Sequence, residues 1–110
     1  MSQTLIDNLQ AQLGGPRDGA LLRFSLAGAL LGEGQTDQAV TQCRQALDFD
    51  RDYSAAWKLL GKAHLEAGDT AAAADAWRQG IAAAGRRGDK QAEREMGVFL
   101  RRLEKSGGHG

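Results

Sequence analysis

The sequence predicts an all-α fold of antiparallel helix pairs stacked as a solenoid, and three observations predict it. The chain repeats itself at a fixed interval, apolar positions inside each copy recur at helical spacing, and short glycine-centred turns divide them. Residues 20–53 align with residues 54–87 without a gap. Eight positions are identical: Leu26/Leu60, Ala29/Ala63, Leu31/Leu65, Gly34/Gly68, Thr36/Thr70, Ala39/Ala73, Arg44/Arg78 and Gln45/Gln79. Ala27/Gly61, Ala46/Gly80 and Leu47/Ile81 keep their character. The matches fall at structurally distinct places, so low complexity does not account for them.

Each copy reads as a helix, a tight turn and a second helix. In the second copy Ala56, Trp57, Leu60, Ala63 and His64 share one helical face, Gly68 ends the helix, and Ala73, Ala74, Trp77 and Ile81 mark the next. In the first copy the helix runs to about Glu33, Gly34 stops it, and Ala39, Val40, Cys43, Ala46 and Leu47 form the second stripe. Side-chain oxygens at Asp18, Thr36, Ser54 and Thr70 stand where N-caps are wanted. Helices joined by so short a turn approach closely, which Gly61, Ala27, Ala39 and Ala73 permit, while Trp57 and Trp77 fill the space between neighbours.

Two flanking segments extend the pattern. Residues 3–13 place Leu5, Ile6, Leu9 and Leu13 on one face before Gly14-Gly15-Pro16. Leu5 and Leu9 stand one full repeat period before Ala39 and Cys43, so this segment reads as the second helix of a truncated preceding repeat. Residues 89–105 align Ala92, Met96, Phe99, Leu100 and Leu103, as a further first-type helix displaced by one inserted residue near Gly85–Gly88. Its opposite face is charged, suited to a helix that ends the stack. Residues 1–105 are expected to form one domain of about six helices, and residues 106–110 a disordered tail.

Composition narrows the function classes. A chain of 110 residues has room for one modest core. Lys plus Arg and Asp plus Glu both count 14, so no overall field calls for nucleic acid or an anionic membrane. The distribution is uneven: residues 1–53 carry four basic and seven acidic residues, residues 85–110 seven basic and four acidic. Such opposed ends could join between molecules or simply be solvated surface. Cys43 is the only cysteine, which excludes an internal disulfide and a cysteine metal site. The opening MSQTLIDNLQ lacks a basic leader followed by an apolar stretch, and no apolar run approaches the roughly 20 residues of a membrane span. A soluble, cytoplasmic protein is expected.

No chemistry-bearing constellation stands out. No nucleophile has a base beside it in any familiar pattern, and the carboxylates form no acid–base pair. Gly14-Gly15-Pro16-Arg17 lacks the Lys-Ser/Thr of a phosphate loop. His64 reads as a packed, hydrogen-bonded core histidine, and Cys43 as a small buried apolar side chain. Arg86, Arg87, Lys90, Arg94, Arg101, Arg102 and Lys105 could meet phosphate, but Asp89, Glu93, Glu95 and Glu104 are interspersed among them. No enzyme activity, cofactor, metal or nucleic acid is expected.

The second copy carries a family resemblance. Trp57-x2-Leu60-Gly61-x2-His64, followed by Gly68, Ala73, Trp77 and Gly80, resembles the tetratricopeptide pattern of Trp-x2-Leu-Gly-x2-Tyr, Gly, Ala, an aromatic residue and Ala. That pattern spans about 34 residues, the interval at which this chain repeats. His64 replaces the tyrosine, Gly80 the second alanine, and Gly85 stands in place of the closing proline. The first copy is weaker, with Arg23, Ala27, Leu30 and Cys43 departing from the pattern and Leu26, Gly34, Ala39 and Ala46 keeping it. The chain thus resembles a small bacterial-type two-repeat tetratricopeptide protein. A pentatricopeptide reading is disfavoured, because the period of that RNA-binding repeat is longer by one residue.

The resemblance implies a right-handed α-solenoid that serves as a scaffold or adaptor. Its first-type helices would line a concave groove for an extended peptide or a helix of a partner protein. Carried over, the groove positions are Leu21, Phe24, Gly28 and Leu31 in the first repeat, and Ala55, Lys58, Lys62 and Leu65 in the second. Lys58 and Lys62 lie one helical turn apart and should share a face. With Phe24 they suit a peptide bearing an apolar anchor and an acidic group, although lysines there could also merely keep the face hydrated. The carboxylate clamp that grips chaperone tails is disfavoured, since Phe24 and Gly28 stand where it needs Lys and Asn. A self-assembling homo-oligomer is the alternative, and a nucleic-acid-binding helical repeat a more distant one.

Overall fold

The computed structural model describes residues 2–107. Six helices follow one another: α1 (Ser2–Gln10), α2 (Ala20–Gly32), α3 (Thr36–Phe49), α4 (Ser54–Glu66), α5 (Thr70–Arg87) and α6 (Lys90–Gly107). There is no strand among the described residues. Helix starts repeat the sequence period, with α1, α3 and α5 beginning at residues 2, 36 and 70, and α2 and α4 at 20 and 54. By that count a third first-type helix would begin at 88. It begins at Lys90, so two residues are inserted rather than the expected one. α5 has 18 residues against 14 in α3 and the connection to α6 is correspondingly shorter, so helix and connection together are two residues longer. Gly88, in the left-handed region, caps α5.

The turns inside the repeats follow from their glycines. Gly34 and Gly68 take φ of 76° and 83°, a region where a side chain is strained. Each turn is closed by paired backbone bonds, Gly34 N to Leu31 O and Gln35 N to Leu30 O in one, Gly68 N to Leu65 O and Asp69 N to His64 O in the other. This pattern occupies the last free carbonyls of the preceding helix.

The same turns move the N-caps one residue from where the sequence suggested. Because each turn closes within two residues, the following helix begins earlier, and Thr36 and Thr70 become first helical residues. Asp69 caps α5 by accepting from Ala72 N at 3.0 Å. The cap position of α3 is Gln35, and that of α2 is Gly19, neither with a side-chain bond. Asp18 instead accepts from Gly14 N and from Arg23. Tyr53 holds the cap position of α4, and Ser54 Oγ donates to Asp89 Oδ2 at 3.0 Å. Asp89 in turn accepts from Ala92 N at the start of α6.

Both ends also depart from expectation. α1 stops at Gln10, because bonds from Gln12 N to Leu9 O and Leu13 N to Gln10 O tighten the chain before Gly14. Ile6 is its buried residue at 1% exposure, whereas Leu5 is 51% exposed. Ile6, Leu9 and Leu13 of the predicted stripe pack against the core, and Leu5 alone falls outside it. At the other end α6 continues through residues 106 and 107, the first part of the expected tail, and the rest of that tail lies outside the described residues.

Close approach depends on two glycines. A Cβ on Gly61 would intrude on the Trp77 indole, and one on Gly80 would collide with Met96 and the Trp57 Cβ. Each indole N–H is satisfied, Trp57 Nε1 donating to Arg51 O at 2.8 Å and Trp77 Nε1 to Lys58 O at 3.1 Å. Ala27, Cys43, Leu47, Trp57, Leu60, Ala73, Trp77 and Met96 belong to one core cluster, while Ile6, Leu26, Leu30, Ala39 and Ala63 form a second beside α1.

Adjacent helices pack in sequence order. In addition the backbones of α2 and α4, and of α4 and α6, approach closely, whereas those of α1, α3 and α5 stay farther from one another. The layer of α2, α4 and α6 is thus the more closely spaced, and the stack curves toward it. That layer is the concave one. No helix among the described residues is long and apolar enough to cross a membrane.

Candidate functional site

The predicted groove residues divide into three groups. Leu31, Lys62 and Leu65 come together with Glu66, Trp77 and Phe99 around an apolar recess of about 320 Å³. Ala55 and Lys58 line a separate polar recess with Ser54, Asp89, Gln91, Ala92 and Glu95. Leu21, Phe24 and Gly28 line neither. Leu21 is 69% exposed, Gly28 faces open space, and Phe24 is held against Tyr53 with ring centroids 5.3 Å apart.

The apolar recess is the better-built part. Leu31 comes from α2, Lys62 and Leu65 from α4, and Phe99 from α6, so all three concave helices contribute. Trp77 forms the floor from α5, its ring 5.4 Å from that of Phe99. Lys62 Nζ lies 5.2 Å from the Phe99 centroid, a cation over an aromatic face. The apolar surface continues past Leu65 and Phe99 to Leu103, where Thr70, Arg102 and Ser106 border it.

The two lysines have different fates. Lys58 Nζ is bound to Glu95 Oε1 at 2.8 Å, and that hydrogen bond holds the Glu95 carboxyl below its ordinary pKa. Among the described residues Lys62 forms no ion pair with a carboxylate. Lys58 is therefore already neutralised inside the molecule, and only Lys62 is offered at the recess.

Phe99, Trp77 and Leu103 were absent from the predicted groove. The repeat register gave no signal for Phe99 and Leu103: setting Lys90 against Ser54 places them at Ala63 and Ala67, which are not groove positions. Their apolar stripe looks like ordinary core packing, yet both side chains are only partly buried. Trp77 is visible as a core residue, but not as one whose edge reaches the concave surface.

Other sequence candidates resolve into structural roles. His64 is not a packed core histidine. It is partly exposed, its Nε2 is 3.4 Å from Arg44 Nη2, and it borders an outer recess with Arg44, Arg51, Asp75 and Gln79. The short side chains of Ala72 and Ala76 on α5 leave that side open. Burial first, and then the Arg44 charge, lower its pKa, with Asp69 opposing. Cys43 is fully buried, and burial pushes its thiol up to about 12. Arg86 and Arg87 are bound to Asp52 and Asp50, each at 2.6 Å. These two bonds join part of the acidic N-terminal half to the basic C-terminal part within one molecule. Among the described residues no group of His, Cys, Asp and Glu could hold a metal ion.

The family model described as Tetratricopeptide repeat matches residues 30–88. The chain belongs to the tetratricopeptide repeat family. A TPR repeat-containing protein of Pseudomonas aeruginosa is 47% identical over 102 residues, covering 93% of this chain and 97% of the relative. The solution structure of a Bordetella parapertussis protein is similar at 46% identity and a TM-score of 0.81, covering 93% of this chain and 89% of that one. The crystal structure of the Sgt2 TPR domain from Aspergillus fumigatus is similar at 26% identity and a TM-score of 0.83, covering 99% and 72%. Tetratricopeptide repeats form a non-catalytic protein-interaction fold, and membership places this chain among protein-interaction modules.

Proposed function

We propose that this tetratricopeptide protein is a cytoplasmic adaptor, without catalytic activity, that holds a peptide or helix of a partner protein on its concave face. The supporting observation is the apolar recess shared by Leu31, Leu65, Trp77 and Phe99 with Lys62 at its edge. An apolar anchor of the ligand would enter the recess, and an acidic group beside it would meet Lys62. Glu66 borders the same recess, so the acidic preference is secondary to the apolar one. Lys58 contributes only if Glu95 is displaced. Nucleic acid is not the expected partner, because Arg86 and Arg87 are committed to Asp52 and Asp50.

Selection from a displayed peptide library tests this reading. The expected result is a family of sequences with a large apolar residue and a nearby carboxylate, bound by the native protein and lost with Phe99→Ala or Lys62→Glu. Selected peptides that bind both variants as well as the native protein would place binding elsewhere on the surface.

A further inference from the structure

We propose that the protein associates head to tail, with α1 of one copy packing against α6 of the next, so that two half-repeats make a whole one. The register of the helices carries this. α1 begins one repeat period before α3, at residue 2 against residue 36, which makes it a second-type helix. No first-type partner for it is present among the described helices. α6 packs on α5 as α4 packs on α3, and no second-type helix follows it among the described residues. Setting Lys90 against Ser54, the first residues of α6 and α4, pairs Met96 with Leu60 and Gly97 with Gly61. Gly61 is the place where α4 admits Trp77 of its neighbour. A Cβ on Gly97 would meet only Arg101 Nη1, at 3.6 Å. α6 therefore keeps the small residue that receives a neighbouring helix, and no helix among the described residues fills it.

The matching half is on α1. Leu5 and Leu9 stand one period before Ala39 and Cys43 and two periods before Ala73 and Trp77, and those later residues are all buried. Leu5 is half exposed, at the position where the complete repeats bury alanine. Leu9 stands where Trp77 packs onto Gly61, so in the assembled pair it meets Gly97. Charge is complementary as well. α1 carries Asp7 and no cation, whereas α6 carries Lys90, Arg94, Arg101, Arg102 and Lys105. Of the α6 carboxylates, Glu95 and Glu104 are already bound to Lys58 and Arg78, which leaves Glu93. The contact joins unlike ends, so it propagates rather than closing as a two-fold dimer. One helix pair buries less than the ~1,000 Å² of a stable interface, which makes the association weak.

Sedimentation velocity on the full chain, from micromolar to millimolar at low salt, tests this. Average mass should rise with concentration and fall when salt is added. Leu5 is exposed and Gly97 has room for a side chain, so Leu5→Asp and Gly97→Gln should both stay folded, as circular dichroism would verify. Each variant alone should be monomeric. Mixed, they should form a species of two molecules and no larger, because one supplies an intact α6 and the other an intact α1. A mass independent of concentration overturns the proposal, as does assembly of either variant like the native chain, or a mixture that stays monomeric. Phe99→Ala should leave assembly unchanged, which separates this contact from the groove.

Discussion

Trp77 occupies the space that a side chain on Gly61 would need, and its indole N–H donates to the carbonyl of Lys58, one turn earlier on the helix that carries Gly61. The α4–α5 pair is fixed by this contact, and the same indole, though buried, lines the floor of the concave recess. Packing and binding surface thus share one residue. Gly61→Ala should therefore destabilise the protein by at least ~1–3 kcal/mol, the cost of overpacking. Gly28→Ala, helical and facing open space, should stabilise it by about 0.5–1 kcal/mol. Urea denaturation of the two variants against the native chain checks the opposite signs.

Asp18 predicts a specific acid sensitivity. Its hydrogen bond to Arg23, then that from Gly14 N, lower its pKa to about 2. An unfolded carboxyl near about 3.9 binds protons first, so Asp18 adds stability above about pH 4 and that contribution disappears as pH falls toward 2. Thermal melts over that range should show a shallower loss for Asp18→Asn than for the native protein, and an NMR titration should place the native midpoint near 2.

Cys43 should be chemically silent in the folded state. Burial raises its thiol to about 12, leaving almost no thiolate near neutrality. A thiol reagent at pH 8 should modify it only at the rate of unfolding, and rapidly in denaturing urea. Fast labelling of the native protein would contradict the packing of α3.

The Lys58–Glu95 bond lies near the surface, so solvent screens it and it should matter little to folding. Lys58→Ala should cost only a small fraction of the ~3–5 kcal/mol expected for Trp77→Ala, which empties a core position. Thermal denaturation of the two variants measures the contrast. Comparable losses would contradict the view that this ion pair is peripheral to the core.

Much of the fold was legible because its determinants are local. The repeat period set the register of five helices, and Gly34 and Gly68 set the turns, since only a residue without a side chain enters those conformations cheaply. The caps were misplaced by one residue because a closing bond pattern such as Gln35 N to Leu30 O is a property of the folded turn. Lys58 and His64 show a different limit. Their partners, Glu95 and Arg44, come from other helices, and no spacing in the sequence announces which side chains two neighbouring helices will bring together. Phe99 was visible as an apolar residue but not as part of the recess, which exists only where α2, α4 and α6 meet.

The most direct test of the groove is chemical-shift mapping by NMR with a peptide taken from the displayed-library selection. Binding on the concave face predicts the largest shifts at Leu31, Lys62, Leu65 and Phe99 and at the Trp77 indole N–H, with residues of α1 and the outer side of α3 unmoved. Shifts concentrated around Arg44, His64 and Gln79, with Phe99 and Lys62 unchanged, would contradict it and move the binding surface to the outer face.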